Sequence, residues 1–156
     1  MTYHLPLNKY GRRLLTEFIA IHCADTKEKQ DIGAAEIRGW HTSPPRNWSD
    51  IGYHFVIRRS GTIELGRPLW AVGAHVQDFN SKSVGICLVG GMDTNGDPTD
   101  DFTPVQMESL ELVVRACVSR YPNAVVQGHT DFPNVAKACP TFDARVWWQT
   151  LASRFE

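Results

Sequence analysis

This chain has no apolar run long enough to cross a bilayer, which takes about 20 consecutive residues. Membrane insertion is therefore not expected. The first residues, Met1-Thr-Tyr-His-Leu-Pro, hold neither a basic stretch nor an apolar one, so no secretory leader is expected there. Neither sign of charge is in excess: 16 Lys and Arg stand against 17 Asp and Glu. Direct binding of nucleic acid as the main task needs a basic surplus to neutralise phosphates, and that class is excluded. There is no C-x-x-C pair. The four cysteines, Cys23, Cys87, Cys117 and Cys139, are widely spaced. Without a leader, the expected place of synthesis is a reducing cytoplasm, where structural disulfides do not persist. A cysteine with a special task is then a metal ligand or a nucleophile. Also missing are G-x-S-x-G, H-E-x-x-H, G-x-x-x-x-G-K-[ST] and G-x-G-x-x-G. Asp93-x-Asn95-x-Asp97 opens like a calcium loop, but Pro98 replaces the required glycine and Pro104 the closing glutamate.

What is present describes one globular domain. The 156 residues are 42% hydrophobic and 21% charged. A chain of this length buries roughly 70% of its unfolded surface, enough for a core without cross-links. Residues 1–13 read as an arm, with Pro6, Gly11 and Arg12-Arg13 but no apolar period. Residues 14–156 read as the domain. Strands are predicted over 17–23, 53–59, 62–65, 83–91 and 124–127. Ser60-Gly61 joins the second and third as a hairpin. The 83–91 stretch is apolar at almost every position, the pattern of a central strand buried on both faces. Helices are predicted over 34–41, 103–121 and 142–151. Thr103 with Gln106 forms a capping box, and Pro104 takes the first helical position. Asp31 or Gly33 opens the first helix, and Pro44-Pro45 closes it. The fold class is α+β, in the mixed α/β sense: a single mixed β-sheet flanked by helices.

Histidines at strand ends and loop cysteines are the candidates for chemistry. His22 ends the first strand, His129 follows the strand at 124–127, and Cys139 lies in a loop. Two imidazoles and a thiolate make a sensible zinc shell, and three ligands leave a fourth position open, the catalytic arrangement. The competing reading is a metal-free cysteine hydrolase using Cys139 and His129. Cys23, Cys87 and Cys117 read as core residues. His54 alternates with Tyr53 and faces the other side of its strand. Arg67 reads as a brace at the sheet edge. No role falls to His4 or His41.

Several blocks run in a fixed order. They are Trp48-Ser-Asp-Ile-Gly-Tyr53-His-Phe-Val-Ile, Ser60-Gly-Thr-Ile-Glu-Leu-Gly66-Arg67, Ala71-Val-Gly-Ala-His75, Asn80 and Ser83-Val-Gly-Ile-Cys-Leu-Val-Gly-Gly91. Gly128-His129-x-Asp131 and Lys137-Ala-Cys139-Pro140 close the series. Over residues 18–148 the chain resembles the zinc-dependent N-acetylmuramoyl-L-alanine amidases, whose fold is shared with peptidoglycan recognition proteins. The phage-type members are the nearest in pattern. The resemblance implies one zinc ion on His22, His129 and Cys139, with Tyr53 and Lys137 catalytic. It also implies a cleft lined by His75 and Asn80. Asp131 either holds a ligand histidine from behind or caps the turn that follows it. The implied substrate is peptidoglycan, cut between N-acetylmuramic acid and L-alanine in host lysis, by a monomer made in the host cytoplasm and released through a holin-type lesion. A phage-type relative also binds a phage RNA polymerase, partly through its arm, so residues 1–13 carry an expectation of that partner. A role confined to binding, without cleavage, is the alternative class. Residues 42–47 and Phe132-Pro-Asn depart from the pattern, which bears on substrate contacts rather than on the metal shell.

Overall fold

The computed structural model of the chain describes residues 9–155. Residues 1–8, most of the expected arm and including His4, lie outside the described residues, as does Glu156. Seven strands and three α-helices follow one another as β1 (Phe18–Cys23), β2 (Thr26–Lys27), α1 (Ala34–Thr42), β3 (Phe55–Ile57), β4 (Ile63–Leu65), β5 (Ser83–Leu88), β6 (Gly91–Met92), α2 (Pro104–Arg120), β7 (Val125–Gly128) and α3 (Ala144–Ala152). Five strands form one mixed sheet in the order β4-β3-β5-β1-β7. The β3, β5, β1 and β7 pairings are parallel, and only β4 runs against its neighbour. The central position of β5 explains its unbroken apolar sequence: all six residues are buried. β2 and β6 form a separate two-stranded ladder, too short to announce itself by periodicity.

Alternation along β1 and β5 divides the core. Ile19 and Ile21 on β1, with Val84, Ile86 and Leu88 on β5, face α2 and α3, where Leu110, Val113, Val114, Cys117 and Ala144 meet them. On the other face Cys87 packs with α1 residues Ala34 and Ile37, and Ala20 packs with Val76 and Phe132. His22 shares this second face with Ala20, because successive strand residues point to opposite sides. Among the described residues no helix is long and apolar enough to cross a membrane.

The α2 capping box forms as the sequence predicts. Gln106 N–H donates to Thr103 Oγ1 at 3.1 Å, and Thr103 N–H donates to Gln106 Oε1 at 3.0 Å. The buried Gln106 amide does more. Its Nε2 donates to the Ile57 and Val89 carbonyls, at 3.2 and 2.8 Å, and Oε1 also accepts from Arg59. One side chain therefore caps the helix and fastens it to the sheet.

Residues 9–13 belong to the body. Gly11 and Arg13 exchange main-chain hydrogen bonds with Val72 and Trp70, and Tyr10 donates to Asp50. The Arg13 guanidinium is buried and donates to Thr16 Oγ1, the Ala71 carbonyl and the Tyr121 hydroxyl. Arg67 is likewise buried, donating to the Ile51 and Val72 carbonyls. β3 is shorter than predicted: Tyr53 and His54 precede it. Their main chains still pair with Gly85, Gly66 and Arg67, but around a turn rather than along a ladder.

Two buried histidines act as struts. His54 donates from Nε2 to the Ala71 carbonyl and accepts the Gly85 N–H on Nδ1. His41, at the end of α1, accepts the Gly52 N–H on Nδ1. Burial pushes both rings down to about 4.

Two predictions follow from these contacts. Gln106→Ala removes the amide's hydrogen bonds to the Ile57 and Val89 carbonyls and uncaps α2, and should cost about 3 kcal/mol, read from a urea midpoint. The His41 and His54 rings stay neutral in the folded chain while their unfolded forms protonate near the ordinary value of 6.5. Their contribution to stability is therefore complete above about pH 6.5 and is lost as pH falls toward about 4. The melting temperature should drop across that interval, and His54→Gln should make the drop shallower.

Candidate metal centre

Parallel strands that end together leave a crevice beyond their carboxyl ends, where side chains from separate elements can converge. β1 and β7 pair with Ile21 opposite Gly128, so His22 and His129 emerge side by side. Their rings lie 4.6 Å apart, centroid to centroid. His129 opens a 3-10 turn, His129–Asp131, that follows β7 directly. The loop carrying Cys139 is tied to this turn by a hydrogen bond from Thr130 N–H to the Cys139 carbonyl, 2.9 Å. One donor atom from each of His22, His129 and Cys139 lies within 4.8 Å of the others.

The chemistry of this donor set fits zinc. A zinc shell with bonds of about 2.0–2.3 Å takes imidazole nitrogen and thiolate sulfur, and its donors spread over a few ångströms. Burial holds the pKa of His22 well below the ordinary value, with help from His75, His129 and Lys137. Burial, then Lys137, lowers that of His129 as well. Both rings are therefore neutral at pH 7, the form that ligates. Cys139 Sγ accepts the Cys23 main-chain N–H at 3.1 Å, which fixes the position of the sulfur. Among the described residues no hydrogen bond joins Cys139 to His129, as a metal-free thiol–imidazole pair would require.

The other expected residues gather around this centre to different degrees. The Tyr53 ring lies 5.1 Å from that of His22. Burial, reinforced by Cys87, Cys139 and Cys23, raises the Tyr53 hydroxyl well above its usual range, so it keeps its proton. Lys137 is exposed and lines a small cavity of about 110 Å³ that holds all three donors. A larger groove, about 660 Å³, adjoins it and shares Trp48, His75, His129 and Lys137. Asn80 lines only the groove, and its Oδ1 is engaged by the main-chain N–H groups of His75 and Val76. Asp131 lines neither space. Its carboxylate accepts the Gly128 N–H at 2.9 Å, so it caps the turn it closes, His129–Asp131, rather than the one that follows.

Some contributors have no counterpart in the sequence reading. The Cys23 main chain holds the Cys139 sulfur, although Cys23 reads simply as core. Its own thiol donates to Asp25 at 3.2 Å and is pushed up by its contact with Cys139 and by burial. His41 carries no role in the sequence reading, yet it lines the small cavity and its ring packs on Trp48 and Tyr53, at 4.7 and 5.6 Å. Its place at the end of α1, with two aromatics following, is the signal that could have found it.

A family model described as N-acetylmuramoyl-L-alanine amidase matches residues 12–142. An endolysin of Klebsiella phage KP32 is 46% identical over 141 residues, covering 90% of this chain and 91% of that one. The solved structure of the N-acetylmuramoyl-L-alanine amidase LysC from Clostridium intestinale superposes with a TM-score of 0.73 at 28% identity, over 98% of this chain and 92% of that one. Bumblebee PGRP-SA superposes at 0.70 and 23% identity, over 87% and 81% of the two chains, a likeness of fold alone.

Proposed function

The chain belongs to the N-acetylmuramoyl-L-alanine amidase family and acts on peptidoglycan as an endolysin, and from that premise we propose how its own residues carry the reaction. His22, His129 and Cys139 hold one zinc ion. The observation that carries this reading is their convergence within 4.8 Å from two strand ends and a loop. Zinc, when bound, supplies Lewis acidity that polarises a carbonyl and brings the pKa of water from about 16 to about 7.

The remaining work belongs to side chains. The scissile amide joins the lactyl group of N-acetylmuramic acid to L-alanine. Water adds to its carbonyl, the C–N bond breaks, and the products are a carboxylate and a free L-alanine amino group. Lys137, at the rim shared by both cavities, sets its ammonium against the negative charge that develops on the carbonyl oxygen. One such preorganised donor is commonly worth about 3–4 kcal/mol. Tyr53 keeps its proton and donates from Oη, either to orient the attacking water or to pass a proton toward the leaving amine. The groove running past Trp48 and Asn80 receives the rest of the glycopeptide. A monomer suffices, since every one of these residues comes from one chain.

Purified cell-wall sacculi should release L-alanine amino termini and no reducing sugar ends. Cys139→Ser and Tyr53→Phe should each lower that release at least 100-fold. Chelation should abolish it and added zinc restore it. Release that survives full chelation would instead favour the metal-free cysteine mechanism.

Two further parts of the reading concern context. The enzyme reaches its substrate through a lesion made by a separate membrane-permeabilising protein. An RNA polymerase of the phage is a second partner, through residues 1–8. Tyr10, Gly11 and Arg13 are bonded into the body, so the informative truncation removes residues 1–8 rather than 1–13. That truncation should leave sacculus cleavage within about 2-fold of the full chain. Loss of polymerase capture in a pull-down assigns the partner to the arm, and undiminished capture removes the arm from the proposal.

A further inference from the structure

We propose that His75 is a positioning residue that fixes which ring nitrogen of His22 faces the metal; the inference rests on the zinc reading above. Protons can be followed along a chain of buried and half-buried groups. Ser83, the first residue of β5, is fully buried, and its Oγ donates to the Phe79 carbonyl at 2.8 Å. A hydroxyl has one proton to give. Toward His75 Nε2, 3.3 Å away, Ser83 Oγ is therefore the acceptor, and Nε2 carries the hydrogen. The His75 and His22 rings meet nitrogen to nitrogen, so one gives a proton and the other takes it, and a His22 that ligates zinc is neutral with its one lone pair turned to the ion. A neutral imidazole has one N–H and one lone pair, so His75 Nδ1 can only accept. It lies 2.9 Å from His22 Nε2, which must then be the donor. His22 is left with its lone pair on Nδ1, available to the ion. Every N–H and O–H in the chain points the same way, from His22 through His75 and Ser83 to the Phe79 carbonyl.

The fold takes care to place this ring. The His75 and Val76 N–H groups both donate to Asn80 Oδ1, at 2.7 and 2.9 Å, which pins the backbone. Below the ring β5 carries Gly85, where a Cβ would come within 2.7 Å of the imidazole. The ring stands at 82° to that of His22, with centroids 5.0 Å apart. With both nitrogens engaged inside the protein, His75 forms a wall of the cleft but has no free hydrogen-bonding atom for a ligand. That departs from its expected role as a substrate contact. Asn80 Oδ1 is similarly taken up by the backbone of the residue it positions.

Long-range proton–nitrogen NMR of the imidazoles in zinc-free protein reads the tautomers directly. The Nε2–H form is expected for both His75 and His22. Zinc competition against a chromogenic chelator supplies the second measurement. His75→Ala should weaken zinc binding about 10- to 100-fold. His75→Asn keeps an acceptor near the position of Nδ1 and should recover most of that loss. Ser83→Ala removes the acceptor behind His75 and should produce mixed tautomers at both rings with a several-fold loss. An Nδ1–H tautomer on His22 in the wild type would overturn the inference, as would His75→Ala binding zinc as tightly as wild type. Should His75→Ala fail to fold, the wild-type tautomers and Ser83→Ala decide the matter. Failure of the wild type itself to bind zinc would sink the metal reading, and the tautomer measurement would still stand or fall alone.

Discussion

The parallel pairing of β1 with its two neighbours is the constraint on which the site depends. Parallel ladders bring strand ends to the same edge, whereas an antiparallel neighbour would carry its end away. Setting Ile21 opposite Gly128 makes the residues that follow, His22 and His129, neighbours beyond the last paired positions. On the other side of β1, His22 stands opposite Cys87 and Ala20 opposite Gly85. A slip of one residue would turn His22 into the α2-facing core and bring Ile21 or Cys23 to the cleft. The apolar pattern of Ile19 and Ile21, fully buried against Leu110 and Val114, is what forbids that slip. Hydrophobic burial on one face of the strand thus sets where the donor side chains converge on the other.

Buried polar groups extend the same order outward. Among the described residues every buried side-chain nitrogen or oxygen has a hydrogen-bond partner. Arg67 donates to the Ile51 and Val72 carbonyls, His41 accepts the Gly52 N–H, and Arg13 and His54 both donate to the Ala71 carbonyl. Such groups cost a few kcal/mol when left unpaired. These side chains therefore hold the irregular segments 50–54 and 66–73 in one arrangement, and with them Tyr53.

How much of this could be read from the sequence depends on what kind of information a residue carries. His22, His129 and Cys139 were legible because imidazole and thiolate at strand ends and in a loop are chemically distinctive. β5 was legible from an unbroken apolar run, and α2 from Thr103, Pro104 and Gln106 at fixed offsets. The span of β3 was not, since Tyr53 and His54 alternate like strand residues while the Gly52 and Gly66 backbones bend the chain around them. Asp131 caps the turn behind it through the Gly128 N–H, because the 3-10 turn His129–Asp131 folds its carboxylate back toward that group. The contribution of Cys23 comes from its main chain, which has no residue-type signature. The second amide role of Gln106 and the engagement of His75 depend on tertiary contacts that no local pattern records.

The hydrogen bond from the Cys23 N–H to Cys139 Sγ joins residues 116 positions apart. A chain leaving the ribosome has both histidines and a finished sheet before the thiolate emerges, and a chain cut short of residue 139 never gains it. An ion held by all three donors would therefore be captured late in synthesis rather than early, and its capture would draw on the closure of a loop of more than a hundred residues. Because an ion that binds only the completed arrangement stabilises that arrangement, a bound metal would mark the molecules in which all three donors had come together.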